Sequence, residues 1–254
     1  MKIIVFIIFL LFSNIALSTD SNTNDFATSV QDSRAYLNKA LSLVKEGDHA
    51  TAINFLNSAI RLDPKYVDAY VARASILEKT GNLKSAIVDY THALNLRPSY
   101  KIFYNRGVLE LALKAYPEAA RDFTSAIELN PQFARAYSDR GLAFLANNML
   151  DEAKNDFIQA FALNDKILFA LEKTGEINIM QKNFQEALNN FNQLLKLDPN
   201  DANAYLSRAK IYEALQMPDL ALKDYNTSVS LGNNNIQSNP NPAAIDPEIK
   251  SNSI

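Results

Sequence analysis

The sequence predicts an all-α solenoid built from copies of one helix hairpin, and three observations predict it. The chain repeats itself every 33 or 34 residues, each period holds two columns of small residues, and glycine and proline fall where helices must stop. Ala52, Ala86, Ala119, Ala153, Ala187 and Ala221 are separated by 34, 33, 34, 34 and 34 residues. Four residues after each comes a large apolar group, Leu56, Tyr90, Phe123, Phe157, Phe191 and Tyr225, one helical turn on and on the same face. Ten residues after each alanine lies a leucine: Leu62, Leu96, Leu129, Leu163, Leu197 and Leu231.

Twelve residues before the alanines stands a second small column, Ala40, Ala74, Gly107, Gly141, Gly175 and Ala209, and four residues before that a bulky one, Tyr36, Tyr70, Phe103, Tyr137, Leu171 and Tyr205. Facing small columns let two helices approach closely. Each period is therefore an A helix carrying the bulky and first small residues, a short turn, and a B helix carrying the alanine and leucine. Gly47-Asp48 and Gly81-Asn82 break the first two hairpins, and Pro117 stands where a B helix opens and its missing N–H costs nothing. Pro64, Pro98, Pro131 and Pro199 end four B helices, because proline cannot continue them. The repeats are assigned to 33–66, 67–99, 100–133, 134–167, 168–201 and 202–235, with a linker over 19–32 and a disordered tail over 236–254 rich in asparagine and proline.

A 34-residue helix-turn-helix with an aromatic, a Gly or Ala, a central Ala, a second aromatic and a closing Pro resembles the tetratricopeptide repeat family. The resemblance covers 33–235. It implies a right-handed superhelical solenoid that takes a segment of another polypeptide in a concave groove lined by its A helices, in a family whose members rarely carry catalytic residues. Departures cluster late in the chain. The fourth repeat closes on Asn164-Asp165 in place of Pro, the fifth has Leu194 where four others have a second alanine, and the sixth has Ser228 there and Asn233 at the proline position. Junctions around the fifth repeat are expected to pack less regularly than the first four.

Comparing the copies exposes a pairing. One residue before the A-helix small position, four repeats carry Arg73, Arg106, Arg140 and Arg208; three residues after the B-helix alanine, the same four carry Asp89, Asp122, Asp156 and Asp224. The first repeat has Lys39 with Phe55 and the fifth Thr174 with Asn190. Residues that come and go together are read as structural ion-pair partners across the hairpin.

Composition removes several functions. There is no cysteine, hence no disulfide, thiolate metal site or cysteine nucleophile. Net charge is −3 with both signs interspersed, which leaves no basic stripe for nucleic acid. The six glycines all have places in the repeat, Gly232 as the last helix terminator, so no phosphate loop remains. His49 and His92 lie in different repeats without ligand spacing, and no metal, cofactor or small-molecule substrate is expected. Asn226-Thr227-Ser228 fits the short glycosylation pattern but falls inside a B helix.

At the other end, Lys2, the apolar run Ile3 to Phe12 and the small residues Ala16-Leu17-Ser18 read as a secretory signal over 1–18, cleaved near Ser18. The alternative is an uncleaved membrane anchor, although Ser13-Asn14 interrupts the apolar stretch well short of the roughly 20 residues a span needs. The expected product is exported to the periplasm or secreted. Function is read as a non-catalytic adaptor or scaffold, not an enzyme, binding another protein or peptide. The alternatives are a chaperone-like holder of exported chains and a regulatory or assembly subunit of an envelope enzyme. A last repeat with no neighbour also suggests self-association.

The resemblance implies a groove, and in the third and fourth repeats its positions are Lys101, Tyr104, Asn105, Val108 and Leu111, then Arg135, Ser138, Leu142 and Leu145. That is an apolar floor with basic corners, suited to a short apolar peptide bearing a carboxylate, although Asp139 stands where a base would help and the family's full carboxylate clamp is missing. The competing reading is that Val108, Leu111, Leu142 and Leu145 only pack one A helix on the next.

Overall fold

The computed structural model describes residues 31–232, which form twelve α-helices and no strand. The first helix, α1, runs over 31–46, so residues 31 and 32, assigned above to the linker, are already helical. It is followed by α2 (His49–Leu62), α3 (Val67–Lys79), α4 (Leu83–Leu96), α5 (Tyr100–Ala112), α6 (Tyr116–Leu129), α7 (Ala134–Ala146), α8 (Leu150–Leu163), α9 (Leu168–Met180), α10 (Phe184–Leu197), α11 (Ala202–Ala214) and α12 (Pro218–Ser230). Odd-numbered helices are the A helices and even-numbered ones the B helices. The signal segment, the rest of the linker and the tail after Gly232 lie outside the described residues.

The helices fall into two compact units, one ending at Asn130 and the other beginning at Pro131, each holding three hairpins. Within each unit every A helix packs on its own B helix and every B helix on the next A helix. The reason is the small columns. Ala52, Ala86, Ala119, Ala153 and Ala187 are completely buried, as are Ala40, Ala74 and Ala209. Where the A-helix position is glycine, a ring of the B helix fills the space a side chain would take. A Cβ on Gly107 would stand 2.9 Å from Phe123, on Gly141 3.0 Å from Phe157, and on Gly175 2.7 Å from Phe191. These distances are at or below the shortest that carbon atoms tolerate, so helix spacing is set by backbone meeting ring.

Each of the six turns solves one geometrical problem. Just past the end of each A helix one residue takes a left-handed backbone, Gly47, Gly81, Lys114, Asn148, Lys182 and Gln216, with φ between 58° and 85°. Its successor donates a backbone bond back into the helix, as from Asp48 to Leu43 and from Ala115 to Glu110. Glycine suits this position in the first two hairpins; the other four hold L-residues there at a cost of about 1–2 kcal/mol each. The turn is imposed by the packing of the helices it joins, since four sequences without glycine adopt it too.

The departures of the later repeats are absorbed locally. Asn164, in place of a proline-led ending, closes α8 and its side chain accepts from the Lys166 N–H, as Asp63 does for Lys65 and Asp198 for Asn200. Leu194 is fully buried among Phe191, Leu195 and Ile211. Ser228 is also fully buried, with its hydroxyl bonded to the Ala202 carbonyl at 2.7 Å. The leucine column is not core: Leu62, Leu96, Leu129, Leu197 and Leu231 are 38–52% exposed at the ends of their B helices.

Gly175→Ala puts a methyl where Phe191 already sits, and should lower the unfolding free energy by roughly 1–3 kcal/mol, despite alanine being the better helix former. Urea unfolding followed by circular dichroism measures it; a variant as stable as the parent would mean that the ring moves aside freely.

Candidate functional site

Four arginines organise the hairpins that contain them. In each, Nε and Nη2 donate to the two carboxylate oxygens of the B-helix aspartate at 2.6–2.9 Å: Arg73 to Asp89, Arg106 to Asp122, Arg140 to Asp156 and Arg208 to Asp224. The aspartates are almost completely buried. The third nitrogen reaches the preceding repeat: Nη1 of Arg73 donates to Asn57, that of Arg106 to Thr91 and that of Arg208 to Asn192. Each guanidinium also lies over the bulky residue three positions earlier, 5.4–5.9 Å from the rings of Tyr70, Phe103, Tyr137 and Tyr205. This is a structural hub: in Arg73, Arg106 and Arg208 all three nitrogens donate to side chains of the protein.

The fifth repeat replaces the hub with neutral groups. Asn190 accepts from the Asn178 amide at 2.9 Å, and the Thr174 hydroxyl bonds back to the Ala170 carbonyl. No ion is buried there, so the absence of the arginine leaves no orphaned charge.

The candidate groove residues divide between the units. On α5, Lys101 is exposed and Tyr104, Asn105, Val108 and Leu111 are half-buried, following one another at helical spacing along one face. The Tyr104 ring packs against Phe123 at 5.7 Å, and the Lys101 ammonium lies 5.8 Å from the Tyr100 ring. On α7, Arg135 is exposed, Ser138 buried, and Leu142 and Leu145 pack against the core of their own hairpin around Phe157. These two leucines are thus partly engaged within their own hairpin. At equivalent positions of α9 the face changes sign: Glu172, Lys173 and Glu176 stand there, with Lys173 bonded to Glu176 at 2.6 Å. Burial foremost raises the Glu172 carboxyl above its usual range, against the lowering effect of Lys173.

Two features escaped the sequence reading. One is a covariation of three positions. Glycine in the A helix goes with phenylalanine in the B helix and an aliphatic residue four positions on, as in Gly107, Phe123 and Leu111. In two of the three alanine repeats, alanine goes with tyrosine and glutamate, as Ala74 with Tyr90 and Glu78 and Ala209 with Tyr225 and Glu213; the first has Ala40 with Leu56 and Val44. The structure gives the cause in the sixth repeat, where the Tyr225 hydroxyl donates to Glu213 at 2.7 Å. The other is Glu110, in a column where other repeats carry Leu43, Leu77, Phe144, Asn178 and Tyr212. A charge in that column was the visible signal. Its Oε2 is buried without a hydrogen-bond partner.

Neither histidine belongs to a metal-binding cluster among the described residues: His49 opens α2 and His92 stacks on Tyr70 at 5.4 Å. Asn226 of the glycosylation pattern is exposed in mid-helix, while Ser228 is committed to Ala202.

This is an all-α fold of tetratricopeptide-type helix-turn-helix repeats. Three repeat models match the chain, two described as tetratricopeptide repeat at residues 43–88 and 104–165 and one as TPR repeat at 175–216. They support the tetratricopeptide-repeat family and, with it, a role in protein interaction. The chain is 30% identical over 124 residues to human tetratricopeptide repeat protein 6, a match covering 47% of this chain and 24% of that protein. The chain thus spans about a quarter of that relative's length. Among solved structures, a tetratricopeptide repeat protein from Parabacteroides merdae superposes with a TM-score of 0.61 at 23% identity, over 81% of this chain and 95% of that one. YrrB, described as a TPR protein with an unusual peptide-binding site, gives 0.62 at 22% identity, over 70% and 95%. At such identities the likeness is one of fold.

Burial, and next the neighbouring Asp122, raise the Glu110 carboxyl to about 7, against the pull of Arg106. A carboxyl raised on folding contributes stability that is complete below its unfolded value of 4.5 and is lost as pH rises through 7. Glu110→Gln should therefore match the parent near pH 4 and exceed it at pH 8 by about 1 kcal/mol after solvent screening. Thermal melts at the two pH values check this; an equal gain at both would assign the effect to packing.

Proposed function

We propose that this chain is a non-catalytic adaptor that binds a peptide segment of another protein along its A-helix faces, outside the cytoplasm. The observation that carries the reading is the α5 face, where an exposed cation, a tyrosine, an amide and two half-buried aliphatic residues follow in helical order. An extended apolar peptide with a carboxylate finds there an apolar bed, the Asn105 amide for its backbone and Lys101 for its charge. On α7, Arg135 and Leu142 offer a second, sparser version of the same chemistry. The mixed charges of α9 do not suit an acidic peptide, which keeps the proposal to α5 and α7.

Export is part of the proposal and rests on the pattern in residues 1–18; no described helix is long and apolar enough to cross a membrane. Self-association rests on α12 and its end, where Leu220, Leu222, Val229 and Leu231 are exposed. Native mass spectrometry of protein recovered from an exporting host addresses both. A subunit shortened by eighteen residues and an assembly of two or more copies are expected; a full-length monomer would overturn both statements.

The groove is tested with a fluorescein-labelled five-residue peptide of leucine, valine and alanine ending in a free aspartate. Lys101→Glu should weaken its binding about tenfold and Arg135→Glu less, with melting temperatures unchanged, since both side chains are exposed. Affinity unaffected by both reversals would place the binding surface elsewhere.

A further inference from the structure

We propose that the cleft where α2, α3 and α4 meet is a second docking site, which takes an aromatic side chain of a partner polypeptide against the guanidinium of Arg73. It goes beyond the α5 reading and does not rest on it, because none of the α5 residues lines this cleft.

The cleft has a volume of about 330 Å³ and is lined by Ile53 and Asn57 of α2, Arg73 and Leu77 of α3, and Val88 and Asp89 of α4. A closed apolar cavity of about 150 Å³ is enough to hold benzene, so a phenyl or phenol ring has room here. Ile53, Leu77 and Val88 form its apolar walls. Val88 is 55% exposed in the middle of α4, and it departs from its column: the corresponding residues of the other B helices are Asn54, Arg121, Asn155, Asn189 and Lys223. Packing within the hairpin therefore does not call for an aliphatic group at this place.

The arginine decides which kind of group fits. Nε and Nη2 of Arg73 donate to Asp89 at 2.7 and 2.6 Å and Nη1 donates to Asn57 at 2.6 Å, so a carboxylate would have to displace Asp89 from the edge of the group. A ring needs only its face. Tyr70 already lies against Arg73, with its ring centre 5.8 Å away. In two other repeats a second ring, four residues on, joins the same guanidinium: Phe144 at 5.6 Å from Arg140 and Tyr212 at 5.9 Å from Arg208. In the second repeat that position is Leu77, a wall of the cleft. The molecule itself thus shows which group stacks at this place, and here the chain does not supply it. The third repeat differs, because Glu110, Glu118 and Arg121 stand at the corresponding positions, the last two joined at 2.8 Å, and charged groups make no bed for a ring.

The ring belongs to a polypeptide, because the rim of the cleft is exposed at Asn57, Ser85 and Val88. Sites for small molecules enclose most of the ligand. An open cleft with an apolar floor and a polar rim instead suits an anchor residue whose own backbone runs across the rim.

The experiment follows methyl and arginine Nε–H signals of the isotope-labelled protein by NMR while a peptide of one phenylalanine flanked by glycine and serine is added. Ring-current shifts are expected at Leu77, Val88 and Arg73, and leucine in place of the phenylalanine should weaken binding about fivefold or more. Leu77→Phe gives the chain its own ring where Phe144 and Tyr212 have theirs, and should abolish binding. Val88→Asn, an exposed position given a residue its column carries elsewhere, should weaken binding about fivefold with the melting temperature unchanged. It decides the matter should Leu77→Phe fail to fold. Val88→Asn should leave binding of the acidic peptide to α5 as it was, and Lys101→Glu that of the phenylalanine peptide, so the two readings fail separately. Equal binding of the phenylalanine and leucine peptides, undiminished binding in Val88→Asn, or no shift at Val88 at millimolar peptide would overturn the proposal. So would phenol binding in the cleft without the peptide, which would make it a small-molecule site.

Discussion

Phe191 lies so close to the α9 backbone that a single Cβ on Gly175 would come within 2.7 Å of it, and this close approach of A and B helices is the constraint on which the hairpin depends. The helices of this pair are short, 13 and 14 residues, and helices of that length are marginal alone. What holds them is the contact of one ring with one bare stretch of backbone, flanked by fully buried alanines. The turn is bound by the same contact. Once the helices are this close, the connecting residue must take a left-handed backbone, whether it is Gly81 or Lys182.

The arginine hub follows from the same geometry. Arg106 stands one residue before Gly107 and Asp122 one residue before Phe123, so the pair is carried to the edge of the tightest contact. There the aspartate loses its water and needs the complete two-pronged partner, since an unpaired buried carboxylate costs several kcal/mol. The guanidinium has one nitrogen to spare, and in three hairpins it is used on the preceding repeat. A single side chain therefore ties the hairpin to itself and to its neighbour. The fifth repeat shows that the spacing does not require the ions: Asn178 and Asn190 bridge the same two helices with neutral amides.

The candidate faces of the A helices differ from repeat to repeat far more than the packing columns do. The α5 face is apolar with a cation, while α9 carries a bonded lysine and carboxylates at the same positions. A repeated core with varied faces is what a binding surface made of interchangeable parts requires, because the frame is constant and each face is open to change.

Sequence periodicity by itself determined the hairpin architecture, the small columns and the arginine–aspartate pairing, because each of these recurs and a recurrence can be read without coordinates. It also placed Lys101, Tyr104 and Asn105 along one helix. Only the tertiary structure decided what happens once or twice. It put Leu142 and Leu145 partly into their own hairpin's core and left the leucine column exposed at the B-helix ends. It gave Glu110 a buried oxygen without a partner, and it joined Tyr225 to Glu213 across the last hairpin. The physical reason is that a period reports contacts made within one repeat in a fixed register, whereas burial and hydrogen-bond partners depend on neighbours brought close by packing, which no spacing in the chain records.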